Sequence, residues 1–374
     1  MIEPKTNDWP IVYREIHLLG GAFLVNAPED PKSVILYPHT LDKKQAVFKI
    51  DDFKKLYRVV DKCNLGKIVG VDFIHHAHQI EGKMPIEWRF CNTYNNMSWA
   101  NIEACWTWSN IGNEAYTQQN GHLWDLSKRI SHQATLLNQT LRELSLAYRN
   151  QLFSIVESFK PDNKFINGFS DDIYAKFQHF LYDACVLRDY ISEFVFHYVV
   201  PSHLKGGILN MNTTSKIFNK FFKERTNLTE YELFYKEICN KNGWVNKLGI
   251  YRDLVMHACP IAISNKRNYI RTTTLLLPND QFLPLVVAPI PKSPEFIKID
   301  RNNFKYFSDF KKQTDSFFDL SNDESSSVDI LTYAISTMSD FTELLWRTIS
   351  QSPLQVKILT FGPHNTKGAA IIKR

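Results

Sequence analysis

The chain has 374 residues, of which 44% are hydrophobic, 13% aromatic and 22% charged. That apolar share supports a sizeable core and excludes a disordered chain, and the length gives room for two domains or one large domain with an appendage. The net charge of +5 is compatible with a nucleic-acid partner without requiring one.

Residues 1–125 read as a β-rich N-terminal domain. Val12 to Leu18, Ala22 to Val25, Ser33 to Tyr37 and Ala46 to Ile50 are short strand-like runs, punctuated by Gly20-Gly21 and by Pro28-Glu29-Asp30-Pro31. Asp51-Asp52 can cap a helix to about Lys62. Lys67 to His76 and Ile86 to Cys91 read as further strands. Residues 92–125, rich in Asn, Trp and Gly, are read as strands or irregular loops.

The texture changes near Leu126. Leu137, Leu141, Leu144, Tyr148, Leu152, Ile155 and Phe159 recur at three-and-four spacing and predict a helix over about 127–159. Ser170-Asp171-Asp172 is placed to cap a second long helix, whose apolar positions include Ile173, Phe177, Phe180, Ala184 and Ile191 and which Pro201 stops. Shorter helices follow over about 213–225, from Thr229 onward, and from Gly243 to Met256. Together they predict a bundle over 126–262 whose short connections make sequential helices antiparallel neighbours. Residues 263–374 form a C-terminal extension: strands at Thr272 to Leu277 and Leu283 to Ile290, a linker at Ser321 to Ser327, and a final helix from Val328 to Ser350 packing on the rest. The expected class is therefore α+β, a central, mostly antiparallel helical bundle flanked by these two parts.

The six cysteines, Cys63, Cys91, Cys105, Cys185, Cys239 and Cys259, form no C-x-x-C pair, which argues against a zinc ribbon or a disulfide framework. Met1 to Asp8 has neither a basic n-region nor an apolar h-region, and no apolar run reaches membrane-spanning length. A cytoplasmic protein with no membrane partner is expected. Gly206-Gly207 lacks the Lys-Ser/Thr context of a phosphate loop, and no G-x-S-x-G elbow occurs, which disfavours kinase, P-loop NTPase and α/β-hydrolase readings.

Chemistry concentrates in Tyr251-Arg252-Asp253-Leu254-Val255-Met256-His257, at the end of a helical region and just before Pro260. On a helix Asp253 and His257 share a face, and Arg252 lies roughly 140° around from His257. RNA carries its own nucleophile, the 2′-hydroxyl. Cleavage needs proton transfer, which an imidazole near neutral pKa can supply, and a cation for the charged phosphorane, which a guanidinium can supply.

This stretch and the helices around it, residues 127–260, resemble the HEPN superfamily of RNases and RNA-binding proteins. That family carries an arginine, often followed by a polar residue, and a histidine four to six residues later on a late helix of its bundle. The resemblance implies a homodimer whose two motifs face each other to form a metal-independent endoribonuclease. It matches Arg252 and His257 to the catalytic pair and Asp253 to the intervening polar position, often Asn in the family. It implies RNA as substrate, no cofactor, and a setting in toxin–antitoxin or antiviral defence, with an antitoxin or defence protein as partner. The alternative is a non-catalytic RNA- or protein-binding scaffold built on the same bundle.

Three further groups carry weaker signals. His75-His76-Ala77-His78 on a strand would put His76 and His78 on one face, near Asp72, Glu81 and Glu87, but the ligand set is incomplete and no metal centre is expected. Trp106 and Trp108 on a strand would share a face and, with Trp88, Trp99 and Trp124, line a cleft or fill a core. Arg188-Asp189 reads as a salt-bridge position in the bundle, with Asp189 able to support the Arg252 site.

Overall fold

In a computed structural model, the described residues are 12–27, 29–95, 97–255, 269–278, 280–297 and 323–357, with scattered positions between 305 and 321. The N-terminal part holds β1 (Tyr13–Leu18), β2 (Phe23–Ala27), β3 (Asp30–Tyr37), β4 (Val47–Lys49), α1 (Phe53–Lys62), β5 (Ile68–Ile74), the single turn α2 (Ala77–Ile80) and β6 (Glu87–Phe90). The strands form one antiparallel sheet in the order β4-β3-β2-β1-β5-β6. Asp52 caps α1 as expected, its Oδ1 accepting from the Lys55 amide at 2.6 Å.

The period-2 alternation of β1 and β5 gives the sheet two unlike faces. Ile16 pairs with Val71 and, with Phe73, packs on Phe53, Leu56 and Val60 of α1 and on Trp99. Glu15 pairs with Asp72 and His17 with Gly70, so these polar side chains turn to the opposite face and meet the helices. Gly70 is required there, because a Cβ would fall 2.3 Å from the buried Trp88 ring.

The chain continues through α3 (Ala100–Thr117), α4 (Gly121–Phe153), β7 (Lys164–Phe165), α5 (Gly168–Phe194), α6 (Ser202–Lys205), α7 (Thr214–Ile217), α8 (Glu230–Cys239) and α9 (Trp244–Asp253). Then come β8 (Ile270–Leu276), β9 (Phe282–Val287), β10 (Pro289–Pro291), β11 (Ser327–Asp329) and α10 (Ile330–Ile349). The fold is α+β. The pairs Arg129–Glu193, Thr140–Asp183, Lys176–Glu143 and Ser170–Gln151 step in opposite directions along α4 and α5, which makes those helices antiparallel. Within the bundle α3 packs on α4, α5 on α9, and α10 against α3, α4 and α5. No helix among the described residues is long and apolar enough to cross a membrane.

Several expectations need correction. Residues 100–117 are helix, not strand or loop, and they belong to the bundle, so the expected boundary at 125/126 falls inside α4. That helix runs Gly121–Phe153 rather than 127–159. The cap of α5 is Asn167, whose Oδ1 accepts from the Ser170 amide at 3.2 Å, and the helix ends in a π-helical turn, Val195–Val199. On α3, Trp106 and Trp108 do not share a face: Trp108 is buried edge-on against Phe194 at 5.1 Å, whereas Trp106 is exposed. Trp88 and Trp99 are buried and Trp124 is exposed, so the five rings form no single cleft.

Candidate functional site

Helix α9 follows Gly243 and buries Val245, Leu248 and Tyr251 at three-residue spacing. That stripe fixes its rotation, with Tyr251 donating its hydroxyl to the Pro291 carbonyl at 2.5 Å. Arg252 and Asp253 follow at the rim, with side chains 36% and 60% exposed. Helix α5 passes beside α9 at Gly249, where a Cβ would stand 3.3 Å from Arg188 Nη1. Glycine thus leaves room for the second guanidinium to lie against α9.

Arg188, Arg252 and Asp253 line a cleft of about 200 Å³ with Thr213, Thr214 and Ser215. Arg188 Nε donates to Asp189 Oδ1 at 2.9 Å, and Arg252 Nη2 pairs with Asp253 Oδ1 at 2.8 Å. Arg252 Nε is buried with no hydrogen-bond partner among the described residues. Thr214 Oγ1 lies 2.6 Å from Ser192 Oγ, which also contacts the Tyr235 hydroxyl at 3.0 Å. Near Arg188 and Arg252, burial pushes the Cys185 thiol up. Two guanidiniums and hydroxyl donors suit a phosphate oxyanion. Each cation already has an aspartate next to it in sequence, so an incoming anion competes with Asp253, the more solvated of the pair that meets it. The structure therefore brings Arg252, Asp253 and Arg188 together, whereas His257 and Cys259 lie outside the described residues.

The histidines at 75–78 do not form the expected strand face. His76 precedes α2, its amide donating to Gln79 Oε1 at 3.0 Å, and His78 lies on α2 with its side chain 64% exposed, 3.3 Å from Glu81. His75 instead pairs with Glu87 at 2.9 Å. Asp72 is committed elsewhere, to Arg142 at 2.6 and 2.7 Å.

A serine, a histidine and an aspartate, none adjacent in sequence, meet where the sheet packs on α4. His17 Nδ1 is 3.0 Å from Ser145 Oγ, and His17 Nε2 is 3.4 Å from Asp72 Oδ2. All three are buried, and Arg142 holds the carboxylate, so no substrate carbonyl can reach the hydroxyl. Between α1, the segment 91–94 after β6, and α10 lies a larger cleft of about 780 Å³, where Asp340 and Glu343 are three residues apart. Burial and the Glu343 charge raise the Asp340 carboxyl from its ordinary 3.8 to about 6.

Comparison with family models, with curated proteins and with solved structures finds no match to this chain.

Proposed function

We propose that the protein is a metal-independent endoribonuclease of the HEPN type, acting in the cytoplasm in toxin–antitoxin or antiviral defence and active as a homodimer. The observation that supports this reading is the position of Arg252, at the rim of α9, beside a second guanidinium in a hydroxyl-lined cleft. In the proposed reaction an RNA 2′-hydroxyl attacks the adjacent phosphorus and the bond to the 5′-oxygen breaks. His257 moves the proton between them, and Arg252, assisted by Arg188, carries the charge of the phosphorane.

The test is cleavage of single-stranded and structured RNA in EDTA. Wild-type protein should cut RNA and leave the same sequence intact when the ribose at the cut site lacks its 2′-hydroxyl. Arg252→Ala and His257→Ala should each remove cleavage while the circular dichroism spectrum is unchanged. Cleavage by both variants at the wild-type rate rejects the assignment.

The second reading, a non-catalytic RNA- or protein-binding scaffold, is favoured by the pairing of each arginine with its own neighbouring aspartate. It predicts binding that weakens on Arg252→Ala without any cleavage by the wild type. Expression is a further discriminator, since an active nuclease arrests growth and its His257→Ala variant does not.

A further inference from the structure

We infer that His122, Glu193 and His197 form a binding site for a zinc-like dication joining the start of α4 to the end of α5. One ligand atom from each of the three residues lies within 4.8 Å of the other two. Two imidazoles and one carboxylate, with the fourth position left to water, are a donor set that suits Zn²⁺. Residues 122 and 193 are distant in sequence. The visible trace in sequence is the four-residue step from Glu193, at the end of α5, to His197, inside the π-helical turn Val195–Val199. Single π-helical turns occur frequently at functional sites.

The surroundings hold each ligand in the required form. His122 Nδ1 lies 2.9 Å from the Tyr198 hydroxyl, which leaves Nε2 pointing towards Glu193, 3.8 Å from its Oε1. His197 Nε2 lies 3.1 Å from Asn210 Oδ1, an acceptor, which puts the proton on Nε2 and the lone pair on Nδ1. A hydrogen bond on the ring nitrogen that does not ligate is the usual support of a metal-binding histidine.

Glu193 is buried and accepts two hydrogen bonds from Arg129, at 3.0 and 3.2 Å. A carboxylate has roughly four lone-pair positions, and this fork uses one on each oxygen, so each oxygen keeps one position with which to ligate. Arg129 also donates to Asp125 at 2.9 Å, and that second carboxylate offsets the guanidinium charge next to a dication. A tetrahedral zinc needs ligand atoms roughly 3.3 Å apart, and His122, 42% exposed, has the freedom to close that gap. Lys205 donates to the His197 carbonyl at 2.9 Å. Glu193 lies five residues beyond Arg188 on α5, about 140° around the helix, so the metal and the Arg188–Arg252 cleft occupy different faces.

The experiment uses the full chain without a histidine tag, stripped with chelator, dialysed and titrated with Zn²⁺ alone. Co²⁺ substitution reports tetrahedral geometry through its visible absorption. The wild type should bind one Zn²⁺ per chain. Loss of an outer-shell partner costs roughly 10–100-fold in metal affinity, so His122→Ala and His197→Ala should each weaken binding by at least about 100-fold. A His76→Ala/His78→Ala variant should bind as the wild type does. His122 is exposed, so its variant should stay folded, which circular dichroism checks. Failure of the wild type to bind, or undiminished binding by both the His122→Ala and His197→Ala variants, overturns the site.

Discussion

Two arginine–aspartate pairs sit in opposite settings. Arg142 and Asp72 come from α4 and β5, distant in sequence, and meet through two hydrogen bonds at the seam between bundle and sheet, with Asp72 1% exposed. Arg252 and Asp253 are sequence neighbours at the rim of α9, 36% and 60% exposed. The first pair joins two segments and cannot be spared by the fold. Among the described residues the second pair joins no two distant segments, and its cation stands at the rim where a ligand can reach it. A serine and a histidine beside the first pair do not make it a site, because reaction needs access as well as geometry.

The contrast is broken most directly at Arg142. Burial raises the Asp72 carboxyl, but His17 and Arg142 outweigh it and hold it below its ordinary range. Arg142→Met would leave that carboxylate buried without its main partner, at a cost of about 3–5 kcal/mol. Arg252→Met should cost less than about 1 kcal/mol, as for an exposed pair. Urea denaturation of the two variants checks this, and equal losses would remove the distinction. For the proposed RNA cleavage the expected order reverses. Arg252→Met should lower the rate by about 10²–10³-fold, the usual effect of deleting a donor to a developing oxyanion. A folded Arg252→Met variant with unchanged cleavage would show that the exposed pair serves another purpose.

A third test uses the buried hydroxyl. Ser145→Ala removes the partner of His17 Nδ1 at the seam and should cost about 1–2 kcal/mol, the penalty for one buried polar atom left unpaired. RNA cleavage by that variant should match the wild type at a temperature where both are folded. A lost reaction with intact stability would mean that the seam is catalytic after all.

How far the sequence disclosed these features depends on how local their causes are. The Asp52 cap and the Thr229/Glu232 capping box use residues within one turn, and both helices were placed from them. Helix α3 was missed because its burial is not one-sided. Ala100, Ala104, Trp108, Ile111 and Ala115 are buried, but so are Asn101, Glu103 and Thr107, since β6, α4 and α10 all pack on it. No apolar stripe survives in such a helix. The turn at His76 leaves no mark in the hydrophobic period, because Gln79 side-chain capping of the His75 and His76 amides is what bends the chain there. Arg252 and Asp253 were legible as a motif, but the proximity of Arg188 was not, because it depends on how α5 crosses α9 at Gly249. The His122–Glu193–His197 cluster likewise requires α4 and α5 to be antiparallel and in register, a tertiary fact.

The smallest expected effect concerns the cleft between α1 and α10, and it turns on the sign of one ionisation. Folded Asp340 holds its proton more tightly than the unfolded chain does, with its pKa raised to about 6 by burial and by Glu343. Its relative stabilisation is full below the ordinary value near 4 and is lost as pH rises to about 6. The rise corresponds to at most about 3 kcal/mol, which partial exposure to water reduces to about 1. Arg58, Asp61 and Lys67 line the same cleft and add charges of both signs, so they do not reverse the trend. Asp340→Asn cannot ionise and escapes the cost. Its urea midpoint should exceed that of the wild type at pH 7.5 and coincide with it near pH 4. A midpoint difference that is the same at both pH values would mean that Asp340 is ordinarily solvated, and that this half-buried carboxylate, like Asp253 at the rim of α9, is no burden on the fold.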